Sequence, residues 1–96
     1  MENNVTTPTM RTTAQLAEYC DSLVREWAGN EYAIHKRPPF KAHTFDTKDR
    51  FWVVGSTRVS VFYCGGSRAN AERVADALNN AWAAAMGIDP SMIGGA

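Results

Sequence analysis

The feature that most constrains the fold is a change of hydrophobic period within residues 50–86. The runs 50–54 and 58–64 are dense in aromatic and β-branched side chains, which favour strands. After a pair of glycines, apolar residues recur at helical spacing over Arg68–Met86. We therefore expect a strand hairpin followed by one long helix, and we expect the residues before 50 to pack onto this unit.

The dipeptide Gly55-Ser56 predicts a two-residue turn with glycine at its first central position. That register places Trp52 opposite Val59. A three-residue loop is the alternative, and it would put Phe51 and Val53, in place of Trp52 and Val54, on the face that carries Val59. With the two-residue turn, one face carries Trp52, Val54, Val59, Val61 and Tyr63, and the other carries Phe51, Val53, Arg58, Ser60, Phe62 and Cys64. Both faces keep large apolar side chains, so the surplus side needs a cover, for which a partner is one candidate.

Helix signals flank the hairpin region on both sides. Thr12 and Gln15 form a predicted capping box for a helix over Thr13–Ala28. Ser67 is the predicted N-cap of the second helix, and Gly87 is its stop. The apolar stripes are Leu16, Cys20, Leu23/Val24 and Trp27 in the first helix, and Val74, Leu78, Ala81/Trp82 and Ala85 in the second. The remaining alanines keep the second helix slim enough for close approach by another helix or subunit.

Weak alternation at 31–35 and 40–45 predicts two further short strands, separated by Pro38-Pro39. The expected fold class is α+β, a two-layer sandwich. An antiparallel meander of three to four strands is flanked by an N-terminal and a C-terminal helix. Residues 12–87 are the single predicted domain, with a flexible polar arm at 1–11 and a flexible tail at 88–96.

Charge and cysteine content restrict the function classes. Ten basic and ten acidic residues give a net charge of zero, which disfavours generic nucleic-acid binding through phosphate neutralisation. Cys20 and Cys64 are expected as small buried hydrophobes, and they could pair only if the first helix packs beside the end of the second hairpin strand. The N-terminus lacks a signal-peptide pattern and no apolar run reaches membrane-spanning length, so we predict a cytoplasmic protein without membrane contact.

The sequence carries no catalytic or metal-binding signature, and we predict a non-enzymatic protein with no cofactor and no metal site. His35 and His43 fall on separate predicted strands, with no carboxylate or cysteine at a ligand spacing. Neither cysteine has a recognisable base or a thiolate-favouring neighbour. Each histidine is therefore interpreted as a surface residue.

The start of the second helix has two interpretations. Free N–H groups and the helix dipole at Gly65, Gly66, Ser67 and Arg68 could bind an anion. The glycine spacing matches neither a P-loop nor a dinucleotide fingerprint. We favour a tight strand-to-helix turn capped by Ser67, and a site for a small anionic ligand such as a nucleotide is the alternative.

Basic side chains alternate with aromatic ones over residues 31–58. This pattern is typical of a single-stranded nucleic-acid platform, but it equally describes a protein interface, in which aromatic residues and arginine dominate the binding energy. A purely structural interpretation buries the aromatics and solvates the lysines. The predicted contact surface comprises Lys36, Arg37, Lys41, Lys48, Arg50, Trp52 and Arg58.

The hairpin and the helical segment Asn-Ala-Glu-Arg-Val-Ala-Asp-Ala-Leu-Asn at 70–79 resemble small proteins of phages and prophages. The resemblance covers residues 53–81 and includes no family binding motif that could be carried over. Phage proteins of this size include anti-CRISPR and other anti-defence inhibitors. The resemblance implies a non-enzymatic inhibitor that binds a bacterial host protein complex, sometimes over its nucleic-acid surface; the net charge departs from acidic DNA mimics. Homodimerisation through the alanine-rich helix or a sheet edge is compatible with each interpretation.

Overall fold

A computed structural model of the chain describes residues 12–45 and 48–93 and has an α+β fold. In chain order the elements are α1 (Thr13–Ala28), β1 (Lys41–His43), β2 (Trp52–Val54), β3 (Ser60–Tyr63), α2 (Arg68–Met86) and a short 3₁₀ helix at Pro90–Met92. The three strands form one antiparallel sheet in the order β1-β2-β3. This confirms the expected α+β class in its three-stranded form. The predicted arm at 1–11 lies outside the described residues.

Local hydrogen bonds explain why both helices have the bounds that the sequence predicts. The Thr12 Oγ1 accepts the Gln15 N–H at 3.1 Å, and the Gln15 Oε1 accepts the Thr12 N–H at 3.0 Å, which completes the capping box. Helix α2 begins at the Ser67 cap and ends at Gly87, whose φ of 69° is the left-handed conformation that glycine adopts without strain. The Ile88 N–H then donates to the Ala83 carbonyl oxygen at 3.0 Å.

Helix α2 lies at the centre of the core and contacts α1 as well as β1 and β2. Its buried residues are Ala71, Val74, Ala75, Leu78, Ala81 and Ala83. Ala85, which the sequence assigned to the apolar stripe, is exposed. The buried face is instead widened by Ala71 and Ala75, because α2 must meet the sheet on one side and α1 on the other. The alanines predicted close approach by another helix or subunit, and α1 of the same chain makes such an approach.

The register of the hairpin corrects the predicted one. The observed Cα partners are Trp52 with Tyr63, Val53 with Phe62 and Val54 with Ser60. The observed partner of Trp52 is Tyr63, which lies an even number of residues after the predicted partner Val59. Because side chains alternate with a period of two, Trp52 still lies on the same face as Tyr63, as the two-residue turn predicts. A bulge beside Val54 interrupts the ladder, and Val61, expected on the face of Trp52, packs against the core.

The predicted turn with Gly55 and Ser56 at its centre does not form. Gly55 is instead a point of close contact with the preceding loop. It is buried against the preceding loop, and a Cβ placed on it would lie 2.4 Å from the His35 carbonyl oxygen and 2.8 Å from that of Arg37. The Ser56 N–H donates to the Arg37 carbonyl oxygen at 2.9 Å. The connection between β2 and β3 thus spans residues 55–59 and docks onto the loop that follows α1.

The strand expected at 31–35 is absent, and successive turns occupy residues 31–36. The strand expected at 40–45 is reduced to β1. Just before it, the side chain of Asn79 replaces a strand partner: its Oδ1 accepts the Phe40 N–H at 2.9 Å, and its Nδ2 donates to the Phe40 carbonyl oxygen at 3.0 Å. Helix α2 therefore completes the pairing that an additional strand would have supplied.

The tail predicted at 88–96 is described as far as residue 93. The Asp89 side chain accepts the Ser91 N–H at 2.9 Å and caps the 3₁₀ helix, and this hydrogen bond lowers the pKa of the Asp89 carboxyl. Ile93 is buried, and the 3₁₀ helix contacts α2. The boundary at Gly87 thus ends the helix but does not end the packed part of the chain.

Candidate functional site: an aromatic surface and a basic pocket

Four aromatic rings line the face of the sheet that points away from the core. His43, Trp52 and Tyr63 are directly paired across the three strands, and Phe45 follows the end of β1. Side chains alternate along a strand, so these residues face opposite to Ala42, Val53 and Phe62, which pack against the core. We call His43, Phe45, Trp52 and Tyr63 the aromatic row. Within the described residues, neither helix covers it.

The rings of the aromatic row contact one another in sequence. The His43 and Phe45 centroids are 4.7 Å apart at an interplanar angle of 77°, and those of Phe45 and Trp52 are 6.0 Å apart at 70°. The Trp52 and Tyr63 centroids are 4.7 Å apart at 50°. Phe45 and Tyr63 nevertheless each remain 48% exposed. The row is therefore a continuous, partly exposed apolar surface.

A pocket of about 280 Å³ adjoins the aromatic row at the loop end of the hairpin. It is lined by Pro39, Lys41, Ala42, His43, Val54, Gly55, Ser56 and Arg58, and we call it the hairpin pocket. Among the described residues, its lining includes the cationic side chains of Lys41 and Arg58 and no carboxylate. His43 belongs to both the pocket and the aromatic row. Arg58 has a φ of 63°, the left-handed conformation, and its N–H donates to the Gly55 carbonyl oxygen at 3.0 Å.

The structure brings together only part of the predicted contact surface. Lys41 and Arg58 line the hairpin pocket, and Trp52 lies in the aromatic row. Lys48 and Arg50 are exposed in the connection that enters β2. All five belong to the β1–β3 region of the chain.

Lys36 and Arg37 are directed toward the helices instead. The Arg37 Nη1 donates to the Trp27 carbonyl oxygen at 2.6 Å, and its Nη2 donates to the Asn30 carbonyl oxygen at 3.2 Å. These bonds satisfy carbonyl groups at the C-terminal end of α1, where a cation is favourable. The Lys36 Nζ lies 5.2 Å from the Trp27 ring centroid. A structural role therefore accounts for both side chains.

The predicted anion site at the start of α2 has internal partners as well. The Ser67 Oγ accepts the Asn70 N–H at 3.2 Å, and the Gly65 carbonyl oxygen accepts the Phe51 N–H at 2.8 Å. The Arg68 guanidinium stacks over the Phe51 ring at 5.4 Å. These contacts explain the Gly65–Arg68 sequence as a capped turn, and binding of an anion there stays a prediction.

Both cysteines are free and buried. Burial raises the pKa of the Cys64 thiol to about 11, so the thiol is protonated at neutral pH and unsuited to nucleophilic chemistry. Among residues 12–45 and 48–93, no group of three or more His, Cys, Asp or Glu side chains is placed to hold a metal ion. No described helix combines the length and apolar character required to cross a membrane.

A larger groove of about 770 Å³ lies between α1 and α2. Its lining combines apolar side chains such as Leu16 and Ala81 with the carboxylates of Glu18, Asp21 and Asp76. Asp21 also forms a salt bridge with Arg25 at 3.1 Å. The lining also includes the guanidinium of Arg73, so the groove carries charges of both signs, whereas the charged side chains in the described lining of the hairpin pocket are basic.

Sequence reasoning missed three members of the aromatic row, namely His43, Phe45 and Tyr63. The two-residue hairpin register placed Tyr63 on the face of Trp52, but only the pairing of His43, Trp52 and Tyr63 across three strands brings His43 and Phe45 to the same surface. Comparison with protein families, with curated proteins and with solved structures found no match for this chain.

Proposed function

We propose that this is a non-enzymatic, cytoplasmic inhibitor of the phage type, related in kind to anti-CRISPR and other anti-defence proteins. It binds a bacterial protein complex through the aromatic row and blocks the activity of that complex. The observation that supports this proposal is the exposure of Phe45 and Tyr63, each 48%, on a sheet face that no described helix covers. Aromatic side chains are enriched among the residues that dominate binding energy at protein interfaces.

The geometry of the rings favours a protein partner over a single strand of nucleic acid. Successive bases stack on ring faces that are open to solvent. In the aromatic row, neighbouring rings meet at 50° to 77°, which directs part of each ring toward its neighbour. The result is a contoured apolar patch, which suits complementary side chains better than a series of flat bases.

A single-stranded nucleic-acid module is the second candidate, because one observation favours it. The described part of residues 41–63 carries Lys41, Lys48, Arg50 and Arg58 against the single carboxylate of Asp49. Basic groups beside aromatic rings would contact phosphates while the rings stack bases. This candidate predicts an affinity that falls steeply with salt concentration, whereas a mainly apolar protein contact depends on salt much less.

Capture from bacterial lysate, with and without nuclease, tests the proposal. We expect the tagged protein to retain a discrete protein partner after nuclease treatment, and we expect Trp52→Ala and Arg50→Glu each to reduce its recovery. Tyr32→Ser is the matched control, since Tyr32 is 84% exposed but lies outside the aromatic row. Recovery of nucleic acid, with proteins lost on digestion, would instead support the second candidate.

The functional consequence requires its own measurement. Once the captured complex is identified, its activity is assayed with increasing amounts of the purified protein. An inhibitor that works by occupying a surface reaches full inhibition near stoichiometric amounts when its affinity is high. Binding without any loss of activity would contradict inhibition while leaving the interface itself intact.

A further inference from the structure

We propose that the hairpin pocket is a binding site for a single oxyanion, either a phosphate or a carboxylate group. The proposal rests on the proposed function only for one source of the anion, an acidic side chain of the protein partner. The pocket itself is defined by residues of two separate segments. Lys41 belongs to β1, and Ser56 and Arg58 belong to the loop that joins β2 to β3.

The chemistry of the lining matches an oxyanion. Lys41 and Arg58 supply cationic N–H donors, the Ser56 hydroxyl supplies a neutral donor, and His43 contributes an imidazole. Within residues 12–45 and 48–93, the lining includes no carboxylate that could neutralise the two cations. Two like charges that face one cavity repel each other, and an anion between them converts this repulsion into two charge-assisted hydrogen bonds.

The volume of the hairpin pocket is sufficient for a ligand of this size. About 280 Å³ is just below the range of pockets that hold drug-sized molecules, about 300–1,000 Å³. A single phosphate or carboxylate group fits this space. The aromatic row begins at the same place, since His43 lines the pocket and contacts Phe45 at 4.7 Å. An apolar residue next to the acidic group would therefore meet the rings.

Backbone contacts hold the loop side of the pocket in position. Gly55 lies so close to the His35 and Arg37 carbonyl oxygens that no side chain fits there. The Ser56 N–H donates to the Arg37 carbonyl oxygen at 2.9 Å. The left-handed conformation of Arg58, with a φ of 63°, then sets the direction in which its side chain leaves the loop. The cation at position 58 thus projects from an anchored turn.

Titration of the purified protein with inorganic phosphate, followed by amide chemical shifts in ¹H–¹⁵N spectra, tests the site. Sodium chloride keeps the ionic strength constant, and acetate serves as the carboxylate probe. We expect saturable shifts at Lys41, Ser56 and Arg58. Lys41→Gln and Arg58→Asn should each weaken binding by about tenfold, the equivalent of one charge-assisted hydrogen bond. Asparagine tolerates the left-handed conformation, so Arg58→Asn removes the charge without imposing new backbone strain.

Lys48→Gln is the matched control, because it removes a basic residue of the same region that does not line the hairpin pocket. Saturable binding of phosphate or of acetate that Lys41→Gln weakens and Lys48→Gln preserves supports the site, and the better probe indicates the source of the anion. Failure of both anions to shift the pocket amides would overturn it, as would equal weakening by Lys48→Gln. Partner capture that Trp52→Ala reduces, without any anion binding, would refute the anion site but not the proposed function. Anion binding without partner capture refutes the proposed function alone.

Discussion

The two faces of the same three strands have opposite environments. On the inner face, Val53 is fully buried and pairs with Phe62, whose ring lies 6.1 Å from that of Tyr19 and 6.2 Å from that of Trp27. On the outer face, Trp52 pairs with Tyr63, which is 48% exposed. Both faces are aromatic, but among the helices that the structure describes, coverage is confined to the inner face.

This difference separates the residues that stabilise the fold from those available for binding. Burial of the inner face removes apolar area from water and favours folding by about 25 cal/mol per Å². The outer rings gain only part of that free energy, from contacts with each other. An apolar surface that remains exposed after folding can still gain free energy when a partner covers it. The predictions below compare inner and outer positions, or positions with and without internal partners.

The largest difference is expected between Val53→Asp and Tyr63→Asp. Val53→Asp places an unpaired carboxylate in the core, and we expect it to lower the free energy of unfolding by about 4 kcal/mol or more. Tyr63→Asp leaves its carboxylate in water and should cost about 1 kcal/mol. Chemical denaturation monitored by tryptophan fluorescence measures both. Equal losses would mean that the outer face is as much a part of the core as the inner one.

The next effect concerns two adjacent asparagines on α2. Asn79→Ala leaves the Phe40 N–H and carbonyl groups without their partners, and we expect a loss of about 3 kcal/mol in unfolding free energy. Asn80→Ala alters an exposed position and should change it by less than about 0.5 kcal/mol. Similar melting temperatures for the two variants would show that the contact between Asn79 and Phe40 contributes little.

A smaller effect separates two glycines. Gly55→Ala forces a Cβ to within 2.4 Å of the His35 carbonyl oxygen, and we expect the required backbone shift to cost about 2 kcal/mol. Gly29→Ala is the control, because its Cβ would meet nothing closer than 3.7 Å and its φ of −86° suits any residue. Thermal denaturation should rank Gly55→Ala well below Gly29→Ala, and the reverse order would refute the docking of the hairpin loop.

The last effect is absent at neutral pH and concerns Cys64, whose thiol ionises only at high pH. Its pKa rises from 9.0 to about 11 on folding, so the folded state favours the protonated thiol. The resulting stabilisation is complete below pH 9 and is lost as the pH rises toward 11, by at most about 3 kcal/mol. Cys64→Ala should remove this component, as measured by denaturation at pH 8 and at pH 11. Identical pH dependence in the two proteins would contradict the desolvation of the thiol.

Sequence reasoning predicted the helices because their signals are local. The caps at Thr12 and Ser67 lie within three residues of the amides that they bind. The sheet depends instead on distant residues: Gly55 is fixed by the loop after α1, and Phe40, just before β1, is bound by Asn79 from α2. Of the two registers that the sequence left open, the two-residue turn placed Trp52 on the face of Tyr63, as observed, and the three-residue loop placed it on the opposite face.

The candidate site was predictable only where composition alone identifies its residues. Trp52, Lys41 and Arg58 could be chosen from the basic and aromatic composition of their region. Composition could not separate Arg37 from them, because its role depends on carbonyl oxygens at the end of α1. The aromatic row itself requires the pairing of three strands, which the sequence did not specify.

The most direct test of the outer face as an interface is site-specific photo-crosslinking in bacterial cells that express the protein. A photoreactive phenylalanine analogue replaces Tyr63 in one variant and the exposed Tyr32 in another. We expect a discrete crosslinked protein from position 63 and none from position 32. A discrete crosslinked protein from position 32, with none from position 63, would place the interface outside the aromatic row and contradict this account.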